Sequence, residues 1–221
     1  MEELVTCEGT VHSIIFQNAE NGYTVLRLLT EEGEVITVVG CIPCVAPGEH
    51  LAVSGVPETH PQHGEQLRAV ELERSLPEDE EEIFSYLSSG ICKGVGPATA
   101  RRIVERFGAE TLDVLEREPE RLTTLKGVTA RKAQEIAESF RQHMGLRRLM
   151  AFLAQYQLPP VLAMELRRQY GDAALEKVRE NPYLLSGEAC GVEFSVTDGI
   201  AMGMGLAAYR IAIGGQQPDA S

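Results

Sequence analysis

With 221 residues, 43% of them hydrophobic and 24% charged, the chain has material for one or two domains with cores of their own. It has no run of ~18 apolar residues, which argues against a membrane-spanning helix, and its odd number of cysteines, five, argues against a closed disulfide framework. A net charge of −13 excludes a surface that is basic throughout. The acidic opening MEELVTCEGT has no signal-peptide pattern, so the cytoplasm is the expected compartment and no membrane partner is expected.

The charge is unevenly spread. Residues 1–84 hold 3 basic and 17 acidic side chains, residues 85–170 hold 14 and 9, and residues 171–221 hold 3 and 7. Only the middle segment, net +5, suits a polyanion.

Residues 1–76 read as β-structure. Short runs of valine, isoleucine and threonine are broken by turn signals at Asn21-Gly22, Glu32-Gly33 and Pro47-Gly48. The pattern predicts strands near 5–16, 22–30, 34–40, 49–57 and 66–74, which suits a small closed barrel of the oligonucleotide/oligosaccharide-binding (OB) type. Its few aromatics, Phe16 and Tyr23, and its acidity argue against single-strand binding and for contact with a protein partner. His60 and His63 read as a solvated loop. Cys41 and Cys44 read as small buried or half-exposed thiols on a strand end, because no second pair stands at zinc spacing.

Pro77 ends the barrel, and the acidic run PEDEEEI opens a helical region, where negative charge favours a helix N-terminus. Helices are predicted near 78–89, 97–107, 109–117, 129–142, 145–155, 160–170 and 172–180. Between the first two lies Lys93-Gly94-Val95-Gly96-Pro97-Ala98-Thr99, the pattern of the hairpin in a helix-hairpin-helix. A glycine takes positive φ at little steric cost, Val95 would plug the hairpin onto its helices, and Pro97 suits the first helical position. Outward-facing amides of Gly94 and Gly96, with a helix N-terminus behind them, would then suit a phosphate oxygen. A second hairpin follows at Lys126-Gly127-Val128-Thr129, with Thr129 in place of the second glycine. Arg101, Arg102, Arg131 and Lys132 stand in the helices leaving these hairpins and would add positive charge.

The segment then repeats. At a shift of 63 residues Pro97 falls on Pro160, Ala100 on Ala163, Phe107 on Tyr170, Gly108 on Gly171, Pro119 on Pro182 and Leu122 on Leu185. One inserted residue brings Gly127-Val128 onto Gly191-Val192. Four tandem hairpins are more specific than one. Hairpin three (Leu158-Pro159-Pro160) and hairpin four (Gly191-Val192-Glu193) have lost glycines, and Glu193 would repel a phosphate. Hairpins one and two therefore read as binding, three and four as structural. The expected architecture is α+β and multidomain: a five-stranded OB-like barrel over 1–76, a first helix-hairpin-helix pair over 77–143, a second, degenerate pair over 144–206, and a tail over 207–221. No phosphate loop, G-x-S-x-G or H-E-x-x-H occurs, so no catalytic centre, metal or cofactor is expected in this chain.

The order NAENGYTVLRL, VPETHPQHGEQL, GICKGVGPATARRIVERFG, LKGVTARKAQEIAESF and ENPYLL resembles the N-terminal region of the long RecD-like DNA helicases (the RecD/TraA family, exodeoxyribonuclease V alpha-subunit type) over nearly all of 4–206. Glu193 and Thr197 depart from that family's usual glycine and alanine. The resemblance implies a monomeric DNA-backbone-binding region beside a motor that uses ATP and magnesium, unwinds DNA from a 5′ end and serves repair and recombination. Three alternatives stay open. A Holliday-junction-binding subunit shares a barrel and one hairpin pair but lacks the doubled repeat. A hairpin-containing glycosylase would need Lys93 and Asp113 in catalytic roles. A protein-interaction module would use the acidic barrel.

Overall fold

The structure, a computed structural model, describes residues 4–205. It opens with five strands: β1 (Val5–Gln17), β2 (Tyr23–Thr30), β3 (Val35–Cys41), β4 (His50–His60) and β5 (Gly64–Ser75). They close into a barrel in the order β1-β2-β3-β5-β4, with β3 and β5 parallel and the other pairs antiparallel. The alternation in β2 shows why. Leu26 and Leu28 are fully buried, while Tyr23, Arg27 and Leu29 face out, as a pleat with one side on the core requires. Val11, Val38, Leu51, Val53 and Leu67 complete that core.

Strands β4 and β5 run longer than their expected 49–57 and 66–74, so that only three residues remain between them. Glu58, Thr59 and His60 pair with Gln66, Glu65 and Gly64. Gln66 donates to Glu58 at 2.6 Å, and Arg68 pairs with the same carboxylate at 3.2 Å. Polar cross-strand pairs carry the ladder here, and they leave no hydrophobic alternation to read. The His60 and His63 rings stack at this turn, 4.6 Å apart.

The β3–β4 connection is held by a buried ion pair. The Glu49 side chain is wholly buried, and Arg74 grips it from β5 with Nε at 3.1 Å and Nη2 at 3.0 Å. Arg74 also donates to the carbonyls of Pro43 and Cys44, and the Ala46 amide donates to Glu49. Each member is satisfied, which a buried charge needs. Gly48 in the same loop has φ +90°, and a Cβ there would lie 2.3 Å from the Glu82 carbonyl oxygen. That close approach brings the first helix, α1 (Glu80–Tyr86), onto the barrel, where Glu82 accepts from Thr10 and pairs with His50 at 2.8 Å.

Helix α1 is shorter than the predicted 78–89. Asp79 caps it by accepting from the Glu82 amide at 2.8 Å, and past Tyr86 the chain widens into a π-type turn in which Gly90 reaches φ +93°. There follow α2 (Pro97–Phe107), α3 (Thr111–Arg117), α4 (Ala130–Gln155), α5 (Leu162–Tyr170), α6 (Ala174–Glu180) and α7 (Phe194–Gly203). Helix α4 replaces the two helices predicted over 129–142 and 145–155. A lone Gly145, with neither a proline nor a capping side chain beside it, costs a helix only about 1 kcal/mol relative to alanine, and buried side chains continue on both sides of it.

The chain divides into two compact units, Met1–Met144 and Gly145–Ser221, within α4. The 63-residue repeat is visible in the backbone. Gly108 (φ 54°, ψ −134°) and Gly171 (φ 59°, ψ −141°) end α2 and α5 in the same conformation, and each leads through a 3₁₀ turn into α3 or α6. Further 3₁₀ turns at Pro119–Thr124 and Pro182–Ser186 match as well. The expected tail, 207–221, lies outside the described residues.

Replacing Arg74 by methionine leaves the Glu49 carboxylate buried without its partner. We expect a loss of about 3–5 kcal/mol in urea unfolding; a loss under about 0.5 kcal/mol would contradict this role for the pair.

Candidate nucleic-acid interface

The basic unit-one segment forms two turns of one design. In Cys92-Lys93-Gly94-Val95 the Val95 amide donates to the Cys92 carbonyl at 3.2 Å, and Gly94 has φ +84°. In Leu125-Lys126-Gly127-Val128 the Val128 amide donates to the Leu125 carbonyl at 3.1 Å, and Gly127 has φ +82°. A positive φ at the third position is what a type II turn demands, and glycine meets it without strain. Val95 and Val128 are 5% and 6% exposed and join one core with Ile103, Val104, Leu122 and Ile136. They are plugs, as the sequence suggested.

The outer side of each turn is open. The amides of Gly94, Gly96, Gly127 and Thr129 have no acceptor among the described residues. Gly96 is the N-cap of α2 with Pro97 at the first position, and no side chain caps that helix. Its first turn, with exposed Ala98 and half-buried Thr99, therefore keeps the unpaired amides of a helix start. Thr129 explains the missing second glycine of hairpin two: its hydroxyl accepts from the Lys132 amide at 3.2 Å and so caps α4.

The charged candidates separate. Lys93 and Lys126 are exposed on the turns, and Lys132 is half-buried one helical turn on. Arg102 donates from Nη1 to the Lys126 carbonyl at 2.6 Å, so it reaches from α2 to hairpin two. Arg101 is engaged on α1: it bonds Glu81 at 2.9 Å and stacks over the Phe84 ring at 3.7 Å. Arg131 is paired with Glu135 at 2.9 Å, both exposed. Cys92, which starts hairpin one, is buried, and burial pushes its thiol up to about 12.

In unit two the equivalent positions differ. Gln157 takes the place of Gly94 and keeps its positive φ at +57°. It closes α4 in a Schellman arrangement, with Gln157 N–H on the Ala154 carbonyl and Leu158 N–H on the Leu153 carbonyl. Pro159 and Pro160 have no amide proton to offer. At hairpin four Gly191 keeps φ +63°, but Glu193 occupies the cap. The Thr197 hydroxyl, fully buried, donates to the Phe194 carbonyl and meets Ser186 Oγ, both at 2.8 Å. Sequence reading missed Gln157, because a non-glycine gives no sign of a left-handed conformation. It also missed Ser139, whose Oγ accepts the Lys93 amide at 2.8 Å from 46 residues away.

Comparison with known proteins shows what this arrangement is similar to. Residues 4–77 match the OB-fold domain of the ATP-dependent DNA helicase YrrC, residues 84–142 the SAM-like helix-hairpin-helix tandem, and residues 142–212 the helix-hairpin-helix domain of the ATP-dependent RecD2 DNA helicase. In this order the chain resembles the OB-fold and helix-hairpin-helix domains of RecD-like DNA helicases. The ATP-dependent RecD2 DNA helicase of Deinococcus radiodurans is 29% identical over 197 residues. The match covers 86% of this chain and 27% of that protein, so the chain spans about a quarter of that relative's length. A crystal structure of the S. pombe Stn1–Ten1 complex overlaps 33% of this chain and 57% of its own, at 21% identity and a TM-score of 0.27, too low to bear on the fold. Among the described residues of this RecD-like region, no helix is long and apolar enough to cross a membrane.

A thiol held near 12 is almost wholly protonated at pH 8, and the thiolate is the reactive form. Alkylation at pH 8 is expected to label exposed Cys41 at once and Cys92 only after unfolding. Equal rates at the two would show that hairpin one is not closed over the core.

Proposed function

We propose that this RecD-like region grips the sugar-phosphate backbone of DNA, without sequence preference, through hairpins one and two. The observation that carries the reading is the matched set of open amides at Gly94, Gly96, Gly127 and Thr129, on two turns of the same build. Amides fixed around a plugged turn, with a helix start behind them, favour an anionic oxygen and do not touch a base edge. Lys93, Lys126 and Lys132 add sequence-independent charge, with Arg131 contributing to the local field, and Arg102 holds the Lys126 backbone. Hairpins three and four act as scaffold, since Pro159 removes one donor and Glu193 opposes a phosphate. In the whole protein this grip would serve a motor that uses ATP and magnesium to unwind DNA in the 5′–3′ direction in repair or recombination, in the cytoplasm and as a monomer.

A second reading concerns the barrel and coexists with the first. Phe16, Tyr23, Leu29 and Val35 are 51%, 43%, 38% and 54% exposed on β1, β2 and β3, with Phe16 and Tyr23 in ring contact at 6.4 Å. The turns at either end of β2 carry Glu20 and Glu31, Glu32 and Glu34. A basic, apolar segment of a protein partner fits that combination, and a nucleic-acid backbone does not.

The test is a salt titration of binding to single-stranded, duplex and forked DNA. Wild type is expected to bind at roughly micromolar affinity, falling steeply as salt rises. Gly94→Glu with Gly127→Glu is expected to abolish that binding. Undiminished binding by the double variant, or binding that follows base sequence, would overturn the reading.

A further inference from the structure

The two lysine–glycine turns are tied crosswise. Hairpin one is held from the helix that leaves hairpin two: the Lys93 amide donates to Ser139 Oγ on α4 at 2.8 Å. Hairpin two is held from the helix that leaves hairpin one: Arg102 Nη1 on α2 donates to the Lys126 carbonyl at 2.6 Å. Each tie lands on the backbone of the turn's lysine, directly before the positive-φ glycine.

We infer that Arg102 and Ser139 are positioning residues that fix the two hairpins as a single two-point clamp, and that Arg102 acts through the Lys126 backbone and not as a ligand of phosphate. The inference rests on the phosphate reading of the hairpins. When two contact points are held at a set spacing, the second contact becomes intramolecular, and its gain depends on how well that spacing is kept. A loop freed to reorient must be ordered at binding, and affinity falls by that cost.

The internal repeat supplies a control. The residue equivalent to Arg102 is Glu165, and the residue equivalent to Ser139, counting the one insertion, is Gly203. A carboxylate cannot donate to a carbonyl, and glycine has no hydroxyl. Glu165 accepts from Arg168 at 2.8 Å and from Gln169 at 3.2 Å instead. Unit two keeps the helices and the 3₁₀ turns of the repeat without these ties. The fold of a hairpin pair therefore does not require them. They are lost where Pro159 removes an amide donor and Glu193 brings a charge that opposes a phosphate, as devices that serve the clamp would be.

The experiment is a mutant cycle on binding to a duplex of about 20 base pairs across a salt series. Arg102→Ala and Ser139→Ala are made in wild type and in Gly127→Glu, and thermal unfolding of each checks that the fold persists. In wild type each is expected to weaken binding about fivefold, the scale of one hydrogen bond, with the salt slope unchanged. In Gly127→Glu, where only hairpin one remains, Arg102→Ala is expected not to matter, while Ser139→Ala keeps only the smaller cost of ordering hairpin one. A drop of about 0.9 in the slope for Arg102→Ala, with its loss persisting in Gly127→Glu, would make Arg102 a phosphate ligand and overturn the inference. An absence of any effect in wild type would overturn it as well. If Gly127→Glu and Gly94→Glu bind as wild type does, the phosphate reading itself fails, and the clamp with it.

Discussion

The helical half of this chain depends on one constraint, a valine that must be buried next to a glycine that must stay left-handed. Val95 and Val128 enter the same core as Ile103, Leu122 and Ile136. Driving each valine inward turns the neighbouring peptides outward, so burial and display are two sides of one local geometry. The apolar plug contributes about 1.5–3 kcal/mol by leaving water. The amides left outside at Gly94, Gly96, Gly127 and Thr129 lie at the surface, so the turn tolerates them without an internal acceptor. A phosphate site of the kind proposed would need no buried polar group and little sequence beyond Lys-Gly-Val.

The barrel is fastened to this part of unit one by a different interaction. The Glu49–Arg74 pair fixes the β3–β4 loop, and Gly48 in that loop lets α1 approach closely enough for Glu82 to meet Thr10 and His50. Acidic side chains on α1 and the barrel stand in the same compact unit as the basic hairpins. Arg101 pairs with Glu81 across that border. A strongly acidic neighbour would confine a polyanion to the hairpin side, so the net charge of −13 is compatible with the proposed DNA binding.

Much of this was legible in the sequence because the deciding residues act locally. Turn signals at Gly22, Gly33 and Gly48 all proved to be positive-φ turns, and the match of Gly108 to Gly171 became a match of backbone angles. What was not legible acts at a distance or by substitution. The tips of β4 and β5 are held by polar pairs that carry no hydrophobic period. Gln157 does a glycine's work without being one, and α4 runs through Gly145 because nothing nearby stops it. The ties of Arg102 and Ser139 span 24 and 46 residues, and no motif spacing records them.

The central claim is that DNA meets the open amides of hairpins one and two and leaves the other pair untouched. Amide chemical shifts followed by ¹⁵N NMR during titration with a short duplex test it most directly. The amides of Gly94, Gly96, Gly127 and Thr129 are expected to move along one common binding curve, while those of Gly191, Val192 and Glu193 stay still. Shifts confined to the outer face of β1, β2 and β3, or to hairpin four, with hairpins one and two silent, would contradict the account.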